Sequence, residues 1–186
     1  MNRIILIRHC EAEGQDPGDP LTRQGERQSE ILRDFLGDLP IDLVVASEYR
    51  RAGQTAKPLA GALGLDVQVD ARFNERALSE TPIANWREVL RDSFNDPDLH
   101  GPGGESAREA SERAWAGLND LLRSGCQLPA VVTHGNLLSL VLHSLDATFG
   151  YEGWERLSNP DLYLLQSTEP GRFNFRRIWN ARNAEE

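Results

Sequence analysis

The sequence has little cysteine and no long apolar run. Only two cysteines, Cys10 and Cys126, occur in 186 residues, and this usage is typical of free thiols in a reducing compartment. Nothing at the amino terminus resembles a charged segment followed by an apolar one, and no apolar run approaches the ~20 residues that a membrane span needs. We therefore expect a soluble cytoplasmic protein without disulfides and without a membrane partner.

Positive charge is in deficit. The chain carries 20 Lys and Arg against 29 Asp and Glu, a formal net charge of -9, so its surface as a whole repels nucleic acid. The cysteines and the four histidines are too scattered for a zinc-ligand spacing. We expect no metal site, no cofactor and no nucleic-acid partner. Any anionic substrate has to be held by a local positive pocket.

The remaining sequence alternates between strand-like and helix-like segments, without repeats or flexible linkers. A length of 186 residues suits one sizeable core, so we expect residues 1–186 to form a single domain. Short continuous apolar runs are typical of strands buried on both faces of a parallel sheet. The sequence therefore predicts an α/β fold: one three-layer α/β/α domain with a mostly parallel central sheet and a C-terminal edge hairpin.

The predicted elements follow from apolar runs, periodicity and turn residues. Strands are predicted at residues 4–7, 43–46, 66–70 and 130–133, and the edge hairpin at 162–165 and 173–179 around Pro170-Gly171. Helices are predicted after Thr22, with an apolar stripe of Ile31, Leu32, Phe35 and Leu36, from about Arg51 with a break or kink near Pro58, over 86–90, from Glu105 or Ser106 to Leu122, and over 137–145. Residues 95–104 predict a loop that can fold over a site.

Three of the predicted strands stop at polar residues. Arg8-His9 follows the first strand, Ser47 the second and His134 the strand at 130–133. In open α/β sheets, ligands bind in the crevice outside the carboxyl ends of the strands. These residues are therefore expected to converge, although they are far apart in sequence.

Five motifs occur in a fixed order along the chain. They are R-H-C-E at residues 8–11, L-T with a following Gly at 21–25, S-E-Y-R-R-A-G-Q-T-A at 47–56, G-G-E-S at 103–106 and V-V-T-H-G at 131–135. In this order and over most of the length, the sequence resembles the phosphatase branch of the histidine phosphatase (phosphoglycerate-mutase-like) superfamily. The resemblance implies phosphoryl transfer through a phosphohistidine.

The resemblance assigns roles that physical chemistry supports. His9 is expected to attack phosphorus through a neutral ring nitrogen while its other nitrogen is held by an acceptor. Arg8, Arg51 and His134 are expected to bind the phosphoryl oxygens, because arginine forks match phosphate geometry. In the family a carboxylate within a pattern like D-x-x-x-x-E protonates the leaving group, and residues 70–75 fit it. This implies Glu75 as the general acid.

Alternatives stay open around these assignments. Glu75 is otherwise a solvated loop carboxylate or an ion-pair partner of Arg72 or Arg76, and Glu80 is the competing proton donor. Gln15 stands where relatives often carry Asn, and it is either a substrate-binding residue that touches the phosphoryl group or a plain loop residue.

Arg50 competes with Arg51, but the spacing from Ser47 and the following Ala52 favour Arg51. Ser47 itself is expected to do no more than turn the chain at its strand end. Glu105 and Ser106 are predicted to open and cap the long helix rather than to touch substrate.

Two residues depart from the family pattern. Cys10 replaces the usual Gly, which questions a positive φ or a close backbone approach at that position. Its thiol is either a small packed side chain, which we favour, or an oxidation-sensitive group beside Arg8 and His9. Glu48 stands where relatives commonly have Pro, which weakens the turn prediction there.

The favoured function is metal-independent phosphomonoester hydrolysis, with a small-molecule phosphate monoester as partner and a phosphoprotein as the alternative substrate. A phosphoglycerate mutase would use the same core residues, but the chain is shorter than expected for a cofactor-dependent mutase and lacks room for its extra middle segment. A non-catalytic phosphate-binding or interaction module is the third possibility. The intact Arg8, His9, Arg51 and His134 favour an enzyme.

Overall fold

The computed structural model describes residues 3–169 and 172–179. In chain order its strands and helices are β1 Arg3–Arg8, α1 Arg23–Leu36, β2 Leu43–Ala46, α2 Arg50–Leu63, β3 Val67–Val69, α3 Trp86–Asp92, α4 Ala107–Arg123, β4 Pro129–Thr133, α5 Gly135–Leu145, α6 Tyr151–Glu155, β5 Asp161–Glu169 and β6 Arg172–Arg177. A short 3-10 helix follows β3 at Ala71–Phe73. The turn predicted at Pro170-Gly171 lies outside the described residues.

The sheet contains six strands in the order β3-β2-β4-β1-β5-β6. The pairs β1 with β4, β2 with β4 and β2 with β3 are parallel. The last two strands are antiparallel and place β6 at the edge. This arrangement confirms the predicted α/β fold with a mostly parallel sheet and a C-terminal edge hairpin.

Alternate residues of each central strand face opposite layers of helices. Ile5 and Ile7 pack with the buried residues of α1 and α2, whereas Ile4 and Leu6 pack with those of α4 and α5. Because side chains alternate across a strand, a run apolar at every position needs cover on both faces. The sheet therefore has helices on both sides, and its functional residues lie at the strand ends.

The helices agree with the predicted pattern except in two places. Thr22 caps α1 by accepting from Gly25 N at 2.9 Å, and Ser106 caps α4 in a capping box with Glu109. An interruption near Pro58, one of the two predicted outcomes, is wrong, since α2 runs unbroken from Arg50 to Leu63; a kink there stays a prediction. Packing of the apolar face of α2 on the sheet outweighs the hydrogen bond that proline removes. The five-residue α6 was not predicted.

Over residues 3–169 and 172–179, no helix is both long and apolar enough to cross a bilayer.

Candidate active site

The carboxyl ends of three adjacent parallel strands bring His9, Ser47 and His134 together. The backbone N–H of His9 donates to Thr133 O at 2.9 Å, and that of Ser47 donates to Val132 O at 3.1 Å. These bonds continue the strand ladders by one residue beyond each end. The backbone at His9 and Ser47 is therefore held by the hydrogen bonding of the sheet.

His9 is held as a neutral ring. Its Nδ1 lies 2.6 Å from Cys10 O, and Arg51 Nε donates to its Nε2 at 3.1 Å. Burial lowers the pKa of His9 to about 3. The hydrogen bond to the Cys10 carbonyl acts in the opposite direction, whereas the charges of Arg51 and Arg8 also lower this pKa. The ring proton therefore lies on Nδ1. The lone pair of Nε2 accepts from Arg51 Nε.

Arg51 is the buried arginine of the pair at positions 50 and 51. Its side chain is 1% exposed, whereas Arg50 is exposed on the surface. Besides His9, the Arg51 guanidinium donates through Nη1 to the backbone carbonyls of Gln15 at 3.2 Å and Asp16 at 2.9 Å. Burial lowers the pKa of Arg51. The motif spacing predicted Arg51 rather than Arg50 as the site residue, and the burial of Arg51 agrees with that prediction.

Arg8 approaches the same site from the end of β1. Its Nη1 donates to Leu157 O at 3.0 Å, and its buried Nε has no protein acceptor among the described residues. A Cβ on Gly135 would lie 3.1 Å from this Nε, so glycine at this position lets the guanidinium lie against the backbone. Burial lowers the pKa of Arg8, while the negative charges of Glu75 and Asp161 oppose that shift.

His134 is fully buried between two other rings. Its Nε2 lies 2.7 Å from Ser47 Oγ, and the centres of the His9 and Tyr49 rings lie 5.1 and 4.7 Å from its own. Burial holds the pKa of His134 well below its usual range, and the positive charges of Arg51 and Arg8 act in the same direction. His134 is therefore a second neutral ring at this site.

Glu75 reaches the site from the segment between β3 and α3. Its Oε2 accepts from Asn136 N at 3.0 Å, and its Oε1 accepts from Leu137 N at 2.9 Å and from Arg76 N at 2.9 Å. The first two donors belong to the first turn of α5, where a negative charge is stabilised by the helix dipole. This carboxylate also acts on the charges of Arg8 and Arg51, so all three groups share one electrostatic environment.

The alternatives for Glu75 meet different outcomes. The ion pair with Arg72 is wrong, because Arg72 pairs with Asp70 at 2.7 Å and with Asp120 at 2.6 Å. Arg76 contacts Glu75 only through its backbone N–H among the described hydrogen bonds. Glu80 is exposed, and its backbone N–H donates to Pro102 O at 3.0 Å. The structure thus ties Glu75 to the site and Glu80 to the loop after α3.

Gln15 joins the site through its backbone. The carbonyl oxygen accepts from Arg51, while the residue itself is exposed. A direct contact of its side chain with a phosphoryl group therefore stays a prediction.

The two departures from the family pattern have structural explanations. No non-glycine residue in the described part of the chain has a positive φ, so position 10 does not require glycine on that ground. Cys10 is fully buried, its N–H donates to Thr55 Oγ1 at 3.0 Å, and burial raises the pKa of its thiol to about 12. Cys10 is a packed side chain. Glu48 exchanges hydrogen bonds of 2.9 and 2.8 Å with Asn74, the first of them through a backbone N–H that proline would lack.

Sequence reasoning missed two residues that support the site. Asn159 donates from Nδ2 to His9 O at 2.7 Å. Arg76 is 4% exposed and donates to three separate places in the segment after Glu75: Ser93 Oγ at 2.7 Å, Leu99 O at 2.8 Å and Glu105 O at 2.9 Å. A charged residue next to the predicted acid was the available signal for Arg76. For Asn159, only its place just before the edge hairpin pointed to the site.

Neutral histidine rings beside buried arginines, at the carboxyl ends of parallel strands in an α/β sheet, define a class of phosphatase and mutase enzymes that handle phosphoryl groups. The chain belongs to the histidine phosphatase superfamily (branch 1), whose family model matches residues 4–180. This membership confirms the family resemblance.

Named relatives include both activities of that class. The chain is 30% identical over 165 residues to a protein named probable phosphoglycerate mutase GpmB from Enterobacter sp. (strain 638), covering 78% of this chain and 75% of the relative. A mycobacterial glucosyl-3-phosphoglycerate phosphatase is similar in structure, with a TM-score of 0.78, 23% identity and coverage of 97% of this chain and 99% of that one. Bacillus stearothermophilus YhfR is similar with a TM-score of 0.80 at 19% identity, each chain being covered completely at 100%. At these identities the solved structures establish the fold.

Proposed function

We propose that this protein is a metal-independent, acid-type phosphomonoester hydrolase that works through a phosphohistidine on His9. The observation that carries the proposal is the hydrogen bond from His9 Nδ1 to Cys10 O at 2.6 Å. It places the ring proton on Nδ1 and the lone pair on Nε2, where it accepts from Arg51 Nε, and a nucleophilic histidine attacks through that lone pair. Arg8 and Arg51 supply the cationic charge that a phosphoryl group needs.

In the first step the Nε2 lone pair of His9 attacks phosphorus as the bond to the leaving oxygen breaks. Arg8, Arg51 and His134 stabilise the charge on the other three oxygens, and positioning and electrostatics supply most of the catalysis in such transfers. Glu75 enters this step protonated and gives its proton to the leaving oxygen, so that an alcohol departs and the carboxylate remains. In the second step Glu75 takes a proton from a water molecule, which attacks the phosphohistidine and releases inorganic phosphate.

The position of Glu75 supports this role. Two backbone N–H groups at the first turn of α5 fix its carboxylate next to Arg8 and Arg51. Among the described residues, its Oε2 accepts one hydrogen bond, from Asn136 N, and a carboxyl oxygen has a second lone pair that can carry a proton. Phosphate monoesters of small molecules are the proposed substrates, and a phosphoprotein is the alternative.

Trapping the intermediate tests the nucleophile. Labelled substrate, quenched rapidly without acid, should leave an acid-labile and base-stable adduct on His9. His9→Ala should form no adduct and should be inactive. Activity of His9→Ala at the wild-type level would rule out the mechanism.

Changing the leaving group tests Glu75. An alkoxide leaves poorly without a proton, whereas p-nitrophenolate leaves almost unaided. Glu75→Gln keeps a carbonyl oxygen for one of the two α5 N–H groups but has no acidic proton to donate. It should lose about 10²-fold or more on an alkyl phosphate but far less on p-nitrophenyl phosphate. An equal loss on both substrates would assign Glu75 a structural role and make Glu80→Gln the next variant.

A mutase is the second candidate, because a relative at 30% identity carries that name. Incubation with 3-phosphoglycerate and its bisphosphorylated primer should give inorganic phosphate in the favoured case, and 2-phosphoglycerate if the chain is a mutase.

Hydrolysis of p-nitrophenyl phosphate should be unchanged by EDTA. Loss of activity in EDTA, restored by a divalent metal, would contradict metal independence.

A further inference from the structure

Ser47 makes a buried contact that a residue serving only to turn the chain would not need. Its side chain is 2% exposed, and its Oγ lies 2.7 Å from His134 Nε2. The same Oγ accepts from the backbone N–H of Tyr49 at 3.3 Å. The hydroxyl thus links the first residues after β2 to the ring at the end of β4.

The hydrogen-bond capacity of the hydroxyl decides which atom donates in this contact. A serine hydroxyl has one proton and two lone pairs, and the Tyr49 N–H occupies one lone pair. Among the described hydrogen bonds, His134 Nε2 is the acceptor within reach of the Ser47 proton. If the ring donated instead, a buried hydroxyl proton would lack an acceptor, which is unfavourable. Ser47 is therefore the donor and Nε2 the acceptor.

The proton of the neutral His134 ring then lies on Nδ1. This atom is buried and has no acceptor in residues 3–169 and 172–179, and the same is true of Arg8 Nε. Arg8 Nε lies against Gly135, the residue after His134, so both donors belong to the site at the ends of β1 and β4. Buried donors without a protein acceptor are rare in folded proteins and call for an explanation. A pair of them beside the His9 ring fits the oxygens of an anionic group.

Electrostatics disfavours a charged ring, because burial and the charges of Arg51, Arg8 and Arg113 lower the pKa of His134. Of the two neutral tautomers, the hydrogen bond from Ser47 to Nε2 selects the one with the proton on Nδ1. The tautomer is thus expected to depend on the Ser47 hydroxyl.

We propose that Ser47 is a positioning residue: its hydroxyl donates to His134 Nε2 and thereby keeps a proton on Nδ1, where it can be donated to a phosphoryl oxygen. The inference rests on the proposed phosphatase function, since it assumes that a phosphoryl group binds beside His9. It assigns Ser47 a part in the reaction through His134 and without contact to the substrate.

Kinetics of matched variants test the coupling. Ser47→Ala should lower kcat/KM for p-nitrophenyl phosphate by about 10-fold to 100-fold, the scale of losing a bond that orients a functional histidine, and Ser47→Thr should restore part of the loss. In a His134→Gln background, Ser47→Ala should have no further effect. An equal loss in both backgrounds would mean that Ser47 acts only on the chain turn, and the proposal would be wrong.

Nitrogen NMR of the free enzyme tests the tautomer without any turnover. With histidine labelled by ¹⁵N, His134 should show a protonated Nδ1 and an unprotonated Nε2, its signals being assigned by their absence in His134→Gln. Ser47→Ala should shift the ring towards the Nε2-protonated form. A protonated Nε2 in the wild-type enzyme would overturn the proposal, whereas an active His9→Ala would instead overturn the phosphatase mechanism.

Discussion

Burial moves the pKa values of the neighbouring residues His9 and Cys10 in opposite directions. That of His9 falls to about 3 and that of Cys10 rises to about 12, so both side chains are uncharged between these values. An uncharged imidazole is a nucleophile, whereas an uncharged thiol is not, because the thiolate is the reactive form. Two adjacent buried residues thus have different chemistry.

Arg51 and Arg50 offer a direct test of the phosphate-binding residues. Arg51→Ala should cost more than about 3 kcal/mol in kcat/KM, the scale of losing one preorganised donor to a reacting oxyanion. Arg50→Ala should be close to wild type, because its side chain is exposed. Steady-state kinetics on p-nitrophenyl phosphate measure both variants. If Arg50→Ala is damaging and Arg51→Ala is mild, the residue at position 50 binds the phosphoryl group.

A single site residue can be predicted when a local sequence pattern fixes its position. Arg8, His9, Arg51 and His134 are fixed by strand ends and by the start of a helix, and both features are visible as local patterns in the sequence. Asn159 is different. It reaches His9 O because β5 runs antiparallel beside β1, with Asp161 opposite Arg8, and strand pairing over such a distance leaves no local signature.

At the scale of elements, prediction succeeded where apolar periodicity is long or continuous. The four central strands and α1, α2, α4 and α5 bury faces that read directly as patterns. The five residues of α6 are too few for a helical period. The segment between Glu75 and α4 is held by the buried Arg76 guanidinium and by backbone contacts, so its conformation depends on tertiary packing that the sequence pattern does not display.

Close backbone packing in that segment predicts the effect of a single methyl group. A Cβ on Gly104 would lie 2.2 Å from Leu78 O, and both sides of this contact are backbone. Gly104→Ala should therefore displace the chain just after Arg76, cost about 1–3 kcal/mol of stability and lower kcat/KM with it. Denaturant unfolding and kinetics measure the two effects.

Gly61 provides the matched control within a helix. It lies in α2, and a Cβ there would meet nothing within 4 Å. Gly61→Ala should stabilise the protein by about 0.5–1 kcal/mol, since alanine favours a helix over glycine. Equal stability of the two variants would show that the backbone at Gly104 and Leu78 can move apart without lowering the free energy of unfolding.

At the scale of the whole molecule, the helices of both layers pack against the same sheet. The clusters on its two faces share the strands β1, β2, β4 and β5, and the functional residues stand where these strands end. We propose on this basis that residues 1–186 form a single domain. Disrupting either layer should then unfold the other, and the site should be lost together with the fold.

The two buried histidines predict that the whole molecule loses stability in mildly acidic solution. The pKa of His9 falls to about 3 on folding and that of His134 falls well below its usual range, whereas both rings titrate near pH ~6.5 in the unfolded chain. Below that pH the unfolded chain binds more protons than the folded one, so the free energy of unfolding decreases as the pH falls towards the folded pKa values. Each ring can contribute up to about 1.4 kcal/mol per pH unit in this window.

Urea unfolding between about pH 6.5 and pH 5 isolates this contribution, because carboxyl groups in unfolded chains titrate near pH ~4. We expect one cooperative transition at each pH, as for a single domain, with a free energy of unfolding that falls as the pH falls. His9→Gln removes one titrating ring and should have a shallower pH dependence, whereas Arg50→Ala, at an exposed position, should keep the wild-type slope. An unchanged slope in His9→Gln would mean that the folded protein binds the His9 proton as readily as the unfolded chain does. That result would also remove the neutral ring on which the proposed attack by Nε2 depends.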